Sequence, residues 1–393
     1  MAAHSAEAPA ESSPLPSQSK RRGAFHPLTV SAVRQLTPDA VEVTFAVPAE
    51  LAHAYDYEPG QYIAIRTKID GDVLRRSFSI CQAPASHPIG EQGTTGELKV
   101  GIKRDLGGVF STWALENLHP GMTLEVMSPE GRFTSRVTSG DGAGPVHCAA
   151  IAAGSGITPV IALAQSVLAA SGTTRFSLVY SNRTAMDTMF VDELADLKDR
   201  YPSRLALYHV LTRERRSSEL LSGRLDAGKL NRILDDLVPV DDVDEWFLCG
   251  PFELVQLCRD ALGARGVPAD RIRYELFTTG EPGSPSPQRG RPIVVGPGEK
   301  TCTISFRLDG TTSTVTTAEH SQESILNAAL RVRGDVPFAC AGGVCGTCRA
   351  VLREGTVDMV ENYALEQEEL DRGYVLTCQS IPTSEKVVVD YDA

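Results

Sequence analysis

Over residues 26–137 apolar and polar positions alternate in short runs: LTVSAVRQL, AVEVTFAV, QYIAIRT, SFSICQ, ELKVGIK and TLEVMSPEG, with Gly and Pro between them. A period of two puts one face of each run on a core and the other in water, and turn residues fold successive strands back on each other. A small antiparallel β-barrel is the expectation. From 145 to 280 the pattern changes: strand-like runs (HCAAIAA, RFSLVYSN, RLALYHVLT, EWFLCGP) alternate with stretches of helical period (PVIALAQSVLAAS, FVDELADLKDRY, FELVQLCRDALGARG). That alternation predicts βαβ units on a parallel sheet, an α/β domain. In TTGEPGSPSPQRGRP, residues 278–292, periodicity stops and Gly, Ser and Pro dominate, as in a linker. Residues 298–393 resume with a strand pair (CTISFRL, TSTVTT), a helix (ESILNAALRV), a cysteine-rich loop, then VLREGTV and VVVDY. The expected division is a disordered tail (1–25), a barrel (26–137), an α/β domain (138–280), a linker (281–297) and a third domain (298–393).

Length supports several domains, because 393 residues exceed what one ordinary core holds. A formal net charge of −12 argues against nucleic acid or an anionic membrane as partner. Residues 298–393 hold 8 basic and 15 acidic residues, a net −7, which makes either a solvated surface or a docking face for a basic partner. Cys148 to Ala170 is uncharged and long enough to span a bilayer, but Gly154, Ser155, Gly156, Thr158 and Pro159 interrupt it, so strand–loop–helix is expected instead. The first 25 residues lack the apolar core of a secretion signal, which predicts a cytoplasmic, reducing setting with free thiols.

The candidate chemistry begins at FACAGGVCGTCRA, residues 338–350. Cys340, Cys345 and Cys348 are spaced C-x4-C-x2-C, and Cys378 follows after 29 intervening residues. Zinc sites are usually built from two short pairs, which this spacing does not offer. It is the pattern of four thiolates on a [2Fe–2S] cluster, with Gly342, Gly343 and Gly346 letting the backbone wrap it closely. Cys81, Cys148, Cys258 and Cys302 are expected as small core residues, and the eight histidines show no ligand spacing.

On these residues the last segment resembles a plant-type ferredoxin domain, which implies an α+β, β-grasp fold. RRSFSI (75–80) resembles the Arg-x-Tyr-Ser motif of the ferredoxin–NADP reductase superfamily, with Phe for the usual Tyr. The resemblance implies FAD held by Arg76, Ser77, Phe78, Ser79 and Ile80. It implies a second flavin-phosphate site in VGIKRDLGGVFSTW, with Lys103, Gly107, Gly108, Phe110 and Ser111, where amides opening a helix favour phosphate oxygens. In AIAAGSGITPVIAL the run Gly154-x-Gly156-x-Thr158-Pro159 follows a strand pattern and opens a helical one, the setting of a nucleotide phosphate site. Ser181, Asn182 and Arg183 follow the second strand of this domain and Arg213 the third. No acidic residue ends the second strand, and the basic residues favour NADPH over NADH. Cys249-Gly250-Pro251 resembles the segment beneath the nicotinamide, and Glu275 and Phe277 match flavin-proximal positions; Cys249, Ser79 and Glu275 are the implied catalytic group.

The domain order resembles oxygenase reductases that move electrons from NAD(P)H through FAD to a [2Fe–2S] cluster. The loop CAGGVCGTCRA and VDMVENYALEQEELDRGYVLTCQS resemble the reductase components of phenylacetyl-CoA epoxidases. That implies as partner the oxygenase component of a multisubunit aromatic-acid monooxygenase. Ketosteroid hydroxylase reductases, with a Rieske-type partner, share the order and stand as the alternative. A non-enzymatic iron–sulfur or zinc-binding module is the alternative of another class.

Overall fold

The computed structural model describes residues 24–84, 96–105, 107–138, 146–278, 300–318, 321, 323–338, 343, 346–360, 362, 364–365 and 367–393. The expected tail up to residue 23, the linker 281–297, Cys340 and Cys345 lie outside the described residues.

Six strands form the first sheet: Phe25–Thr37 (β1), Ala40–Val47 (β2), Tyr62–Ile69 (β3), Asp72–Ser79 (β4), Gly96–Lys103 (β5) and Thr123–Met127 (β6). Their order is β4-β3-β6-β1-β2-β5 with every pair antiparallel. An isolated bridge between Ile80 and Val100 joins the outer strands, so the sheet closes on itself. Val43, Phe45, Ile63, Ile65, Val100 and Val126 fill it and are fully buried. The β3–β4 hairpin turns on Asp70-Gly71, both at positive φ (51° and 92°), the geometry whose twist matches flanking strands and which Asp-Gly adopts readily. The helix Val109–Asn117 (α1) sits between β5 and β6.

The second sheet is parallel, from His147–Ala153 (β7), Arg175–Asn182 (β8), Leu205–Leu211 (β9), Glu245–Pro251 (β10) and Ile272–Thr278 (β11), in the order β11-β10-β7-β8-β9. Its helices are Ile157–Ala170 (α2), Val191–Arg200 (α3), Ala227–Asp236 (α4) and Phe252–Ala264 (α5). The uncharged run from Cys148 becomes β7, a short 3-10 turn and α2, a helix apolar on all sides because β8, β10 and the barrel cover it. Among the described residues no helix is long and apolar enough to cross a membrane. The sequence pattern did not single out α4. It is capped by Asp226, whose carboxylate accepts from Lys229 N at 2.9 Å, and it buries Leu230, Ile233 and Leu234. A cap of this kind contributes about 1 kcal/mol.

The third sheet comprises Thr301–Leu308 (β12), Thr311–Ala318 (β13), Arg349–Glu354 (β14), Tyr374–Leu376 (β16) and Lys386–Asp390 (β18), in the order β13-β12-β18-β14-β16. A separate pair, Val357–Met359 (β15) with Ser380–Pro382 (β17), lies beside it. β12 and β18 run parallel and the other pairs antiparallel. The helix Ile325–Leu330 (α6) packs across the sheet, capped by Ser324, and Gln367–Asp371 (α7) adjoins β16. The architecture is thus a barrel, a parallel α/β layer and an α+β domain, as the three patterns predict.

Specific contacts join the parts. Phe133, leaving the barrel, packs edge-on against Phe247 of β10 at 5.5 Å. The buried Glu245 accepts from the Ser135 hydroxyl and, at 3.2 Å, from Arg136 N. The third domain meets the barrel through Arg66–Asp309 at 2.9 Å, Arg132–Glu369 at 3.9 Å and the Arg76 guanidinium 4.9 Å above the Phe338 ring.

Cys81, Cys148, Cys258 and Cys302 are buried, as expected of core residues. Burial pushes the thiols of Cys81, Cys148 and Cys258 up from an ordinary 9.0. A raised pKa means the native state holds a proton the unfolded chain gives up. The stabilisation is therefore complete below pH 9.0 and declines as pH rises through the folded values. The melting temperature is expected to hold up to about pH 9 and to fall above it, as the thiols of the unfolded chain ionise. A flat profile contradicts this.

Candidate functional site

Strand β4 presents the first set of side chains, because β3 pairs with it from Tyr62↔Ser79 to Ile69↔Asp72 and fixes its register. The half-buried Phe78 ring lies 5.5 Å from Phe110, which opens α1, and Phe110 lies 5.8 Å from Trp113. The Ser77 hydroxyl is buried and has no hydrogen-bond partner among the described residues. Ser79 donates to Glu275 Oε2 at 3.2 Å, so the barrel strand and the last strand of the parallel sheet meet at this pair. Ile80 is core. Arg76 donates to the Arg75 carbonyl at 2.7 Å besides covering Phe338.

The turn before α1 is closed by its own residues. Ser111 Oγ accepts from Asp105 N at 3.0 Å and donates to the Gly108 carbonyl at 3.3 Å. Its expected role as an added phosphate donor therefore competes with closing the loop. A Cβ on Gly108 would stand 2.7 Å from that oxygen. Gly108 is the N-cap and no side chain caps the helix, so its first amides point outward from the turn. Lys103 pairs with Asp39 at 3.6 Å.

Across the interface, β7 ends just before Gly154 and a 3-10 turn leads into α2. Thr158 donates to the Ser155 carbonyl at 3.0 Å, Tyr180 donates to the Gly154 carbonyl at 3.0 Å, and Pro159 lies buried in the first turn. A Cβ on Gly156 would stand 2.3 Å from the Cys249 carbonyl oxygen and 2.9 Å from Gly250 N. Only a glycine lets this turn lie on the end of β10. Cys249 is fully buried and pairs in register with Glu275 on one side and Ala152 on the other. Burial, then the Glu275 carboxylate, push its thiol far up, so it stays protonated near neutral pH. Gly250 lies against Ala153, Pro251 caps α5, and Phe277 packs on the core beneath.

Arg213 N donates to the Arg183 carbonyl at 2.8 Å, so the two arginines stand side by side, but their side chains are engaged differently. Arg183 pairs with Asp39 at 3.2 Å and with Asp187 at 3.6 Å. Arg213 is exposed at the end of β9 and its side chain has no ion pair among the described residues. Ser181 and Asn182 are buried at the end of β8, and the Asn182 side-chain amide has no hydrogen bond of ordinary geometry among the described residues. Sequence reading did not single out the barrel's Asp39, and no local signal could have done so: it lies 144 residues from the arginine it meets.

Cys348 and Cys378 are buried and close together in the third domain: Thr377 donates to the Cys348 carbonyl from its hydroxyl at 2.8 Å and from its N–H at 3.3 Å. The donor sets match three groups. An aromatic platform, an unpaired buried hydroxyl and an uncapped helix suit a flavin diphosphate. The glycine turn on β10 with an exposed guanidinium nearby suits a pyridine nucleotide, and buried thiols suit iron.

Three family profiles match in order: an oxidoreductase FAD-binding domain over residues 27–135, an oxidoreductase NAD-binding domain over 150–260, and a 2Fe-2S iron-sulfur cluster binding domain over 306–383. The chain belongs to the family of flavin- and nicotinamide-dependent reductases of the ferredoxin–NADP reductase type that carry a fused 2Fe-2S domain. It is 42% identical to a component of the 1,2-phenylacetyl-CoA epoxidase of Escherichia coli (strain K12), over 94% of this chain and 98% of that protein. It is 34% identical to the ferredoxin reductase component of 3-ketosteroid-9-alpha-monooxygenase from Mycobacterium tuberculosis (strain ATCC 25618 / H37Rv), over 93% and 95%. Phthalate dioxygenase reductase shares the fold, with a TM-score of 0.57 at 21% identity over 93% of this chain and 98% of that one.

The Gly156 contact gives a test. Gly156→Ala is expected to lift the turn off Cys249 and slow flavin reduction by a reduced nicotinamide nucleotide at least tenfold, an effect on the order of the 1–3 kcal/mol typical of overpacking. Flavin content should be unchanged. Stopped-flow reduction at native speed contradicts this.

Proposed function

We propose that this chain is the reductase component of a multicomponent oxygenase, passing electrons from NADPH through FAD and a [2Fe–2S] cluster to a di-iron phenylacetyl-CoA epoxidase. The observation that carries the reading is the end-to-end 42% identity to the epoxidase component of Escherichia coli. The 34% likeness to ketosteroid monooxygenase reductases supports a second reading, with a Rieske-type oxygenase as partner. The working units are residues 26–137 for FAD, 138–280 for NADPH and 298–393 for the cluster.

The bound groups supply the splitting of one hydride into two single-electron transfers. The chain's own residues position them. Phe78, backed by Phe110, would pack against the flavin, the Ser77 hydroxyl would be free to bond it, and Arg76 with the first amides of α1 would hold its phosphates. Thr158, Cys249 and Gly250 would hold the nicotinamide, and the Ser79–Glu275 hydrogen bond ties their strand end to the strand of Phe78. Cys249 acts by shape: a thiol held protonated is not a nucleophile. Arg213 takes the ribose phosphate with Ser181, while Arg183 is turned toward Asp39 and Asp187. Cys340, Cys345, Cys348 and Cys378 ligate the iron.

An anaerobic NADPH titration of the purified protein tests this. Flavin bands and a broad red-brown cluster absorption are expected, both bleaching as NADPH is added. A colourless, zinc-containing protein overturns the reading.

A further inference from the structure

We infer that two ion pairs, Arg66–Asp309 and Arg132–Glu369, are positioning contacts that hold the third domain against the barrel while an electron crosses from FAD to the cluster, and that salt loosens this docking. The inference rests on the proposed route through FAD and the [2Fe–2S] cluster. In the step served, one electron leaves reduced FAD and one enters the oxidised cluster, the hydride of NADPH having supplied the pair.

The two seams of the chain are built differently. The barrel segment and the parallel domain share one apolar core, in which Ala40, Cys81 and Phe133 cluster with Val160, Phe190 and Phe247. The apolar core of the third domain runs from Cys302 to Tyr391 and includes no barrel residue among the described residues. Apolar burial does not depend on charge, whereas exposed ion pairs are screened by salt. The contacts across the second seam are Arg66–Asp309 at 2.9 Å, Arg132–Glu369 at 3.9 Å and the Arg76 guanidinium 4.9 Å above the Phe338 ring. In all three the cation comes from the barrel. The carboxylates and the ring come from the domain with 8 basic and 15 acidic residues. Its acidic excess therefore meets a basic face within the same chain.

An exposed ion pair between loose side chains contributes little. Arg66–Asp309 is not of that kind. Arg66 Nε donates to Glu125 at 2.9 Å and its guanidinium lies 4.2 Å above the Phe25 ring, which leaves Nη1 to reach across to Asp309. Asp309 sits on a hairpin turn at φ 51°, and the amides of Asp309 and Gly310 donate to the Asp392 carboxylate at 2.7 and 2.8 Å. Each partner is held by its own domain, which lowers the ordering cost of their contact. Glu369 is held likewise: its buried carboxylate accepts from Arg349 at 2.8 Å, and Arg349 follows Cys348 directly. Arg132 thus bears on the segment that carries a proposed ligand. Two separate contacts restrain both the distance and the tilt of the domain, and transfer between two carriers depends on both.

The test uses the full-length holoprotein with Asp309→Asn and Arg132→Gln combined; asparagine tolerates the positive φ at position 309. In anaerobic stopped flow with NADPH, the flavin-reduction phase is expected to keep its native rate. The later flavin-to-cluster phase is expected to slow at least about fivefold, the factor that two ion pairs of ordinary strength supply. The cluster EPR signal and midpoint potential are expected to stay native, which separates lost docking from a damaged cluster. Raising salt from about 0.1 M to 1 M, which shortens the Debye length from about 10 to 3 Å, is expected to slow the same phase in the unmodified protein and to leave the double variant nearly unaffected. Small-angle X-ray scattering reads the docking without electrons: the radius of gyration is expected to rise in the double variant and, with salt, in the unmodified protein. If the double variant does not fold, Asp309→Asn alone carries the same measurements. A flavin-to-cluster phase at native speed in the variant, or one that ignores salt in the unmodified protein, overturns the inference. A protein that opens in scattering as expected but holds no cluster instead overturns the electron route beneath it.

Discussion

Cys348→Ser is expected to yield a yellow protein that reduces ferricyanide with NADPH at close to the native rate but no longer reduces a one-electron protein acceptor. Cys348 is buried, and its carbonyl receives two hydrogen bonds from Thr377, which fix its backbone. Serine preserves that backbone and removes the soft sulfur ligand that iron in such clusters requires. Cluster-dependent turnover should fall by more than about 100-fold, beyond the loss usual for changes behind the ligands. On the proposed division of tasks, ferricyanide reduction needs only the barrel and the parallel domain. It should change by less than roughly twofold, the ordinary spread of surface-level effects. Loss of both activities would mean that the third domain is needed to hold the flavin site together, through Arg76 and Phe338, and that the tasks are not separable.

The second large effect concerns the nicotinamide cofactor. Arg213→Ala is expected to raise KM for NADPH and leave KM for NADH nearly unchanged. A charge-assisted, two-pronged bond to a phosphate contributes about 1.5–3 kcal/mol, roughly 10- to 100-fold in affinity. Arg213 is chosen over Arg183 because its side chain is exposed without an ion pair among the described residues. Arg183 would first have to leave Asp39 at 3.2 Å and Asp187 at 3.6 Å. Steady-state kinetics with both nucleotides decides it: an equal rise for NADPH and NADH would place Arg213 on a part of the nucleotide common to both.

What was legible in the sequence was local. The period-two runs became barrel strands because each buries one face, while the hairpin turns at Asp70-Gly71 and Asp309-Gly310, all at positive φ, were not singled out beforehand. The alternation after residue 145 gave the parallel sheet, and Gly154 and Gly156 marked the turn onto β10. What was not legible depends on distant segments meeting. No local signal pairs β12 with β18, or sets Arg76 on Phe338, or Asp39 on Arg183. Ser79 and Glu275 could each be marked as candidates, but their hydrogen bond spans 196 residues and two domains. Ser111 shows the opposite limit: its hydroxyl was assigned outward to a ligand, while the structure engages it with Gly108 and Asp105, three and six residues away. α4 was readable in principle from Asp226 and the Leu230, Ile233, Leu234 stripe, but its charged, glycine-containing first turn obscured the period.

The central claim is that electrons entering as NADPH leave through the cluster to a phenylacetyl-CoA epoxidase. Reconstitution of the purified chain with the epoxidase oxygenase components of its own organism, supplied with phenylacetyl-CoA, oxygen and NADPH, tests it most directly. Epoxide formation matched to NADPH consumption, absent without this chain and lost with Cys348→Ser, is the predicted result. NADPH oxidation without epoxide, alongside efficient coupling to a Rieske-type oxygenase, would contradict it.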